Sequence, residues 1–172
     1  MKTDKLKFRL FTIFLSIFLL SCKVNYNFKS ATISDKLKTF SIRSFTMSSA
    51  GGPQNMSFKL TEKLKEYYQR NSNMKLKSAD GDLQLEGSVI NYELTPVSAT
   101  AGDKAAMNRL TITIEVRSVN KVNEEENFEK EFSFYQDFSQ EQTLTQVEPV
   151  LVPKILDQLV VLIFNATAGS TW

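Results

Sequence analysis

The sequence predicts a single α+β domain. It is a two-layer sandwich in which one four-stranded mixed sheet carries two helices on one face, in the order β-α-β-β-β-α. Three patterns lead there. Leu110, Ile112, Ile114 and Val116 alternate with Thr111, Thr113, Glu115 and Arg117, the two-residue period of a half-buried strand. Phe128, Phe132 and Phe134 alternate with Glu129, Glu131, Ser133 and Tyr135 in a partner strand. Met56, Leu60, Leu64, Tyr67 and Tyr68, and later Ile155, Leu156, Leu159, Val160 and Ile163, recur at helical spacing. Since each strand is apolar on one side only, one layer of helices covers the sheet.

The elements follow in order. Residues 37–45 read as the first strand, Phe40 and Ile42 facing one way and Thr39, Ser41 and Arg43 the other. Ser48 to Gly52 is a loop, and Pro53 suits the first turn of a helix, where its missing N–H is not needed. That helix runs to Asn71, with Glu62–Lys65 and Glu66–Arg70 at exposed three- and four-residue spacings. Asp80-Gly81 marks a turn, after which Leu83, Leu85 and Gly87 alternate with Gln84, Glu86 and Ser88. Asn120 to Asn127, with Glu124-Glu125-Glu126, makes an acidic hairpin tip. Thr145-Gln146-Val147-Glu148 has the form of a capping box, and Pro153, well inside the helix it opens, predicts a kink or restart. The sheet face opposite the helices carries Arg43, Gln84, Glu86, Thr111, Thr113, Glu115 and Arg117. It is either solvated or a partner's surface.

Two counts exclude much chemistry. The 172 residues contain no histidine and one cysteine. An intramolecular disulfide, a Cys/His zinc site, a Cys-His nucleophile and a Ser-His-Asp triad each need a residue the chain lacks. Ser-x-x-Lys occurs at Ser72–Lys75 and Ser118–Lys121, but at element ends and without companion motifs, so no serine nucleophile is assigned. Gly51-Gly52 lacks the Lys-Ser/Thr ending of a phosphate loop. No cofactor or metal is expected.

The N-terminus reads as a leader. Lys2, Lys5, Lys7 and Arg9 precede an apolar run from Leu10 to Leu20. At about 1.5 Å per residue, that run spans roughly half a hydrocarbon core, too short to cross it. Leu19-Leu20-Ser21-Cys22 resembles the lipobox of bacterial lipoproteins, in which the cysteine is acylated and becomes the first residue. The expected organisation is a signal peptide over 1–21, a lipidated tether over 22–36 and a folded domain over 37–172. The leader carries four of the 21 basic residues and one of the 19 acidic ones, so the formal charge of +2 becomes about −1 on its removal. Nothing in that balance favours nucleic acid.

Residues along most of this domain also carry a family resemblance. They are Cys22 to Phe28, Phe58 to Glu66 (FKLTEKLKE), Gly81 to Gly87 (GDLQLEG), Asn108 to Ile114 (NRLTITI), Phe132 to Phe138 (FSFYQDF), Gln158 to Val160 and Ile163 to Asn165. Set in this order behind a lipobox, they resemble the LptE family, the lipoprotein subunit of the outer-membrane translocon that assembles lipopolysaccharide. The chain departs from the family at Lys29-Ser30-Ala31, where members usually have a turn with glycine. The resemblance implies an outer-membrane, lipid-anchored protein without enzymatic activity. It would plug the lumen of a β-barrel partner, LptD, assist that partner's assembly, and contact lipopolysaccharide. Arg43, Arg109, Arg117 and Lys121 are the candidates for meeting lipid phosphate or the barrel; the alternative is that they are ordinary solvated charges. Two other functions remain open: a periplasm-facing scaffold lipoprotein of the same fold with another partner, and a lipid-anchored hydrolase.

Lipidation has a direct test. Cys22→Ala should block acylation, leaving an unprocessed precursor that is depleted from the outer-membrane fraction. Unchanged precursor mass and unchanged outer-membrane recovery would rule acylation out.

Overall fold

A computed structural model describes residues 36–97 and 106–168, which belong to one compact unit. The leader and Cys22 lie outside the described residues. The elements are β1 (Thr39–Ile42), β2 (Thr46–Met47), α1 (Met56–Asn71), β3 (Lys75–Leu76), β4 (Leu83–Val97), β5 (Met107–Asn120), β6 (Phe128–Ser139) and α2 (Leu144–Thr167). The α+β class and the two helices match the expectation. The sheet has six strands rather than four among the described residues, ordered β3-β1-β4-β5-β6 with β2 also on β4.

Two local events account for the difference. The first strand breaks at Arg43–Phe45, where Phe45 turns into the core and its amide donates to Thr61 Oγ1 at 3.0 Å. Its two pieces, β1 and β2, then lie in line along β4, both parallel to it. Beyond β1, Lys75–Leu76 adds a parallel two-residue edge strand. That pair is too short to show a period in sequence.

β4 runs to Val97, well past the Ser88 expected, because a bulge intervenes. The β4–β5 register shifts between Val89 and Asn91. Before it, Leu83, Leu85 and Val89 face the helices; after it Tyr92 does. One extra residue thus reverses the alternation and hides the second half of the strand from a period-two reading. β5 and β6 pair antiparallel without interruption from Met107↔Ser139 to Ser118↔Phe128.

Two glycines permit close contacts. A Cβ on Gly81 would lie 2.5 Å from the Phe40 carbonyl carbon, so only glycine lets the turn rest on β1, where its amide donates to Ser41 Oγ at 3.1 Å. A Cβ on Gly87 would meet the Glu115 carbonyl oxygen at 2.1 Å and the Phe45 ring at 2.7 Å. Asp82 then ties the start of β1 to β4, accepting from the amides of Lys38 (3.0 Å) and Thr39 (2.8 Å). The Thr39 hydroxyl and these two amides hold its carboxyl below the usual range.

α1 and α2 run parallel to each other, matching Lys63 to Asp157, Tyr67 to Phe164 and Tyr68 to Thr167. Tyr68 is fully buried at their junction with β1, its ring 5.4 Å from Phe40 and edge-on to Phe164 at 4.9 Å. Its hydroxyl bonds Thr167, and burial pushes its pKa up. The expected helix faces are the buried ones. The capping box, however, lies two residues earlier than read, at Thr143 and Gln146, whose Oε1 accepts from the Thr143 amide at 2.9 Å. Nor does α2 restart at Pro153; it continues through Pro149 and Pro153 for 24 residues. Each proline frees the carbonyl four residues back, on Thr145 and Pro149, and both of those residues are exposed, so solvent can stand in for the lost donor.

Leu159 is completely buried against the sheet. Leu159→Asp would place an unpaired carboxylate there, costing several kcal/mol against about 5–15 kcal/mol of total stability. The variant should be insoluble or should lack a cooperative thermal transition, and a wild-type melting midpoint would contradict the packing.

Candidate functional site

The polar side of β4, β5 and β6 is built by register. Rows across the strands read Glu86–Arg117–Glu129, Ser88–Glu115–Glu131, Asn91–Thr113–Ser133, Glu93–Thr111–Tyr135 and Thr95–Arg109–Asp137. The odd positions of β5 therefore face away from the helices, as the alternation requires. The arginines on this face are paired within it, to Glu86 and Asp137, whereas Glu115, Glu129 and Glu131 have no ion pair among the described residues.

Glu86 is shared by two arginines. Arg43 Nη1 donates to Glu86 Oε2, and Arg117 Nη1 donates to Glu86 Oε1 at 3.0 Å. One carboxylate between two guanidiniums leaves most of their ten N–H donors free. Both side chains stay largely exposed, at 78 % for Arg43 and 60 % for Arg117. They border a cleft of about 260 Å³ also lined by Ser41, Ser78, Asp80 and Gln84. Lys121 stands beside it, its Nζ 3.5 Å from Asp80 Oδ1.

Arg109 occupies the other end of β5 and is bound differently. Its Nε and Nη2 donate to the two oxygens of Asp137 at 2.7 and 2.9 Å, and its guanidinium carbon lies 3.6 Å from the Tyr135 ring centroid. This fork-to-fork pair, hydrogen bonds first and charge second, holds the Asp137 carboxyl below its usual range. The structure thus brings Arg43, Arg117 and Lys121 to one end of the face, while Arg109 sits apart with its fork occupied. Sequence reading found the four cations but not their carboxylates, because Glu86, Asp80 and Asp137 reach them only through cross-strand register or turn geometry.

The hairpin tip holds a second network that the pattern reading missed. Asn120 is buried; its Oδ1 accepts from the amides of Val122 and Asn123, and its Nδ2 donates to Glu126 at 2.7 Å. Asn127 Oδ1 takes the Asn120 amide at 2.6 Å. These bonds order the 3-10 turn Glu124–Glu126. Among the described residues no group of His, Cys, Asp and Glu could hold a metal ion, and no helix is long and apolar enough to cross a membrane.

This face displays hydrogen-bonding groups and charge on one side of the sheet, and the fold is a two-layer α+β domain. The family model described as "LptE: Lipopolysaccharide-assembly" matches residues 37–167. The chain belongs to the LptE family, whose members are outer-membrane lipoproteins that act in lipopolysaccharide assembly and are not enzymes. That removes the hydrolase alternative. No curated protein matches the chain. Among solved structures it is similar to a minor lipoprotein from Acinetobacter baumannii, at 17% identity and a TM-score of 0.46, covering 74% of this chain and 89% of that one. It is also similar to the rare lipoprotein B from Shewanella oneidensis, at 17% identity and a TM-score of 0.48, covering 73% and 92%. A hypothetical protein from Chlamydia trachomatis gives 6% identity and a TM-score of 0.49, covering 76% and 97%.

The Asp137 pair has a pH signature. A carboxyl whose pKa is lowered on folding contributes stability above its unfolded pKa, and that contribution is lost as pH falls through the folded value. Asp137→Asn should lower the melting temperature by a few degrees at pH 7, and the gap to wild type should narrow as the pH falls below the ordinary aspartate value of 3.8. A gap independent of pH would show that the pair contributes nothing electrostatic.

Proposed function

We propose that the domain plugs the lumen of a large LptD-like β-barrel, assists the barrel's assembly, and contacts lipopolysaccharide during its insertion into the outer leaflet. The observation that supports this reading is the polar face of β4–β5–β6, where Arg43 and Arg117 share Glu86, and Arg109 is locked to Asp137. A plug must hydrogen-bond to a polar barrel interior without adapting its shape, and charges already paired on a sheet meet that need. Acylated Cys22 would hold the mature chain at the outer membrane after removal of residues 1–21. Residues 22–36 would then act as a tether for the domain 37–172, facing the periplasm or lying inside the lumen.

Within the site, the geometry favours Arg43 and Arg117 for phosphate or barrel contact. Both keep unused donors beside the cleft, whereas Arg109 uses its fork on Asp137. Lys121, facing Asp80, is the third candidate. The acidic turn Glu124–Glu126 would repel lipid phosphates and belongs outside such a contact.

Arg43→Gln combined with Arg117→Gln should leave the melting temperature nearly unchanged, since exposed pairs contribute little. The same variant should weaken lipopolysaccharide binding and barrel co-purification about tenfold, as expected for lost charge-assisted bonds, and should raise sensitivity to large hydrophobic antibiotics. Wild-type binding and wild-type membrane integrity together would show that this face is merely solvated. A C-terminally tagged chain that recovers no β-barrel of outer-membrane size would instead favour the scaffold reading.

A further inference from the structure

The two edges of the sheet are finished very differently. One ends in β3, a two-residue strand; the other ends in β6, twelve residues long and paired, among the described residues, only with β5. Short strands, prolines, bulges and edge lysines are the usual guards of an open edge. β6 has few of them. Its register is unbroken, it contains no proline or glycine, and its one lysine, Lys130, lies over the Phe128 ring at 5.0 Å near the start of the strand.

Beyond Lys130 and Glu131 the strand is bare. Phe132 to Phe138 contains a single charge, Asp137, and Arg109 on β5 already neutralises it. Four of these seven residues are aromatic, and Phe132 and Phe134 are half-buried on the helix side, leaving apolar surface beside the free edge. A neutral, aromatic, β-favouring run with unpaired backbone groups is what strand addition requires.

We propose that the outer edge of β6 over Phe132–Ser139 is a strand-addition site for an extended segment of a partner protein. That segment alternates apolar side chains, set against Phe132 and Phe134, with polar ones, and places basic residues beside Glu129 and Glu131. The basic requirement follows from charge, because Glu129 and Glu131 lie on the polar face at the start of the same edge and are exposed. A second copy of this chain fits poorly. In the two antiparallel registers that overlap β6 with itself most fully while keeping the apolar faces together, Glu131 or Glu129 faces Asp137, whose charge Arg109 already takes up, so a second copy gives neither glutamate a basic partner. A closed barrel wall has no free edge to offer, so the added strand would come from a loop or a terminal segment. The site stands on β6 alone and does not depend on the barrel reading.

The test uses the full mature chain in detergent and a blocked ten-residue peptide alternating valine with threonine, with lysine replacing the last two threonines. Backbone hydrogen exchange should be fast at the outward amides of Phe132–Ser139 in the free chain and slowed by the peptide. Glu129→Lys with Glu131→Lys should weaken that peptide about fivefold to tenfold, and N-methylation of alternate peptide amides should abolish binding. Slow exchange along β6 in the free chain, protection confined to other strands, or equal binding of the N-methylated peptide would each overturn the proposal. None of these outcomes bears on barrel co-purification, so the two readings fail separately.

Discussion

The antiparallel pairing of β4 with β5 sets the terms for every other element. It runs for fourteen cross-strand pairs with one bulge, and everything else is referred to it. β1 and β2 take their parallel register from β4, and β6 takes its antiparallel register from β5. The pleat then separates two environments. Leu110, Ile112, Ile114 and Val116 are wholly buried under the helices, while Thr111, Thr113 and Glu115 stay partly exposed on the other side. A slip of one residue would exchange them and place a carboxylate and two hydroxyls in the core. Gly87 belongs to the same constraint, since any side chain there would push β4 off the Glu115 carbonyl.

Much of this was legible in sequence because it is periodic. The alternation of β5 and the helical spacing on α1 and α2 report burial well, whereas on β6 the expected Phe128, Phe132 and Phe134 are only half-buried and Phe138 is the residue that is buried. What escaped was aperiodic. The extra residue between Val89 and Asn91 inverts the pattern, so the second half of β4 does not read as a continuation of the first. Pro153 predicts a break only if the carbonyl it frees is buried, and exposure cannot be read from proline itself. The capping box was displaced because Thr143 and Thr145 offer similar local signals, and only the hydrogen bond to Gln146 distinguishes them.

The candidate site was legible in half. Arginine at positions 109 and 117 on the polar face follows from alternation alone. Their acidic partners do not: Asp137 lies 28 residues from Arg109 and Glu86 lies 31 residues from Arg117. This changes what the cations are for. Arg109 is chiefly a brace between β5 and β6, stacked on Tyr135 and bonded through its fork. Arg43 and Arg117, divided over one carboxylate, retain capacity for an added anion.

The parallel course of α1 and α2 has an electrostatic consequence along the strand axis. Antiparallel helices would cancel their macrodipoles; these two add, each equivalent to about half a charge at either end. Both C-termini meet at Tyr68 and Thr167, beside Phe40, whose pairing with Leu83 and then Asn120 brings the acidic turn Glu124–Glu126 to the same end. Peptide dipoles and carboxylates reinforce one another there, and Arg43, Arg117 and Lys121, at the same end, set a positive patch directly against that field. In open solution, salt screens such a field within roughly 8 Å. Inside a narrow conduit with low-dielectric walls it would be focused rather than screened. The fold would then hold both signs at one end, admitting an anion to the Arg43–Arg117 cleft there while excluding it from the neighbouring acidic turn.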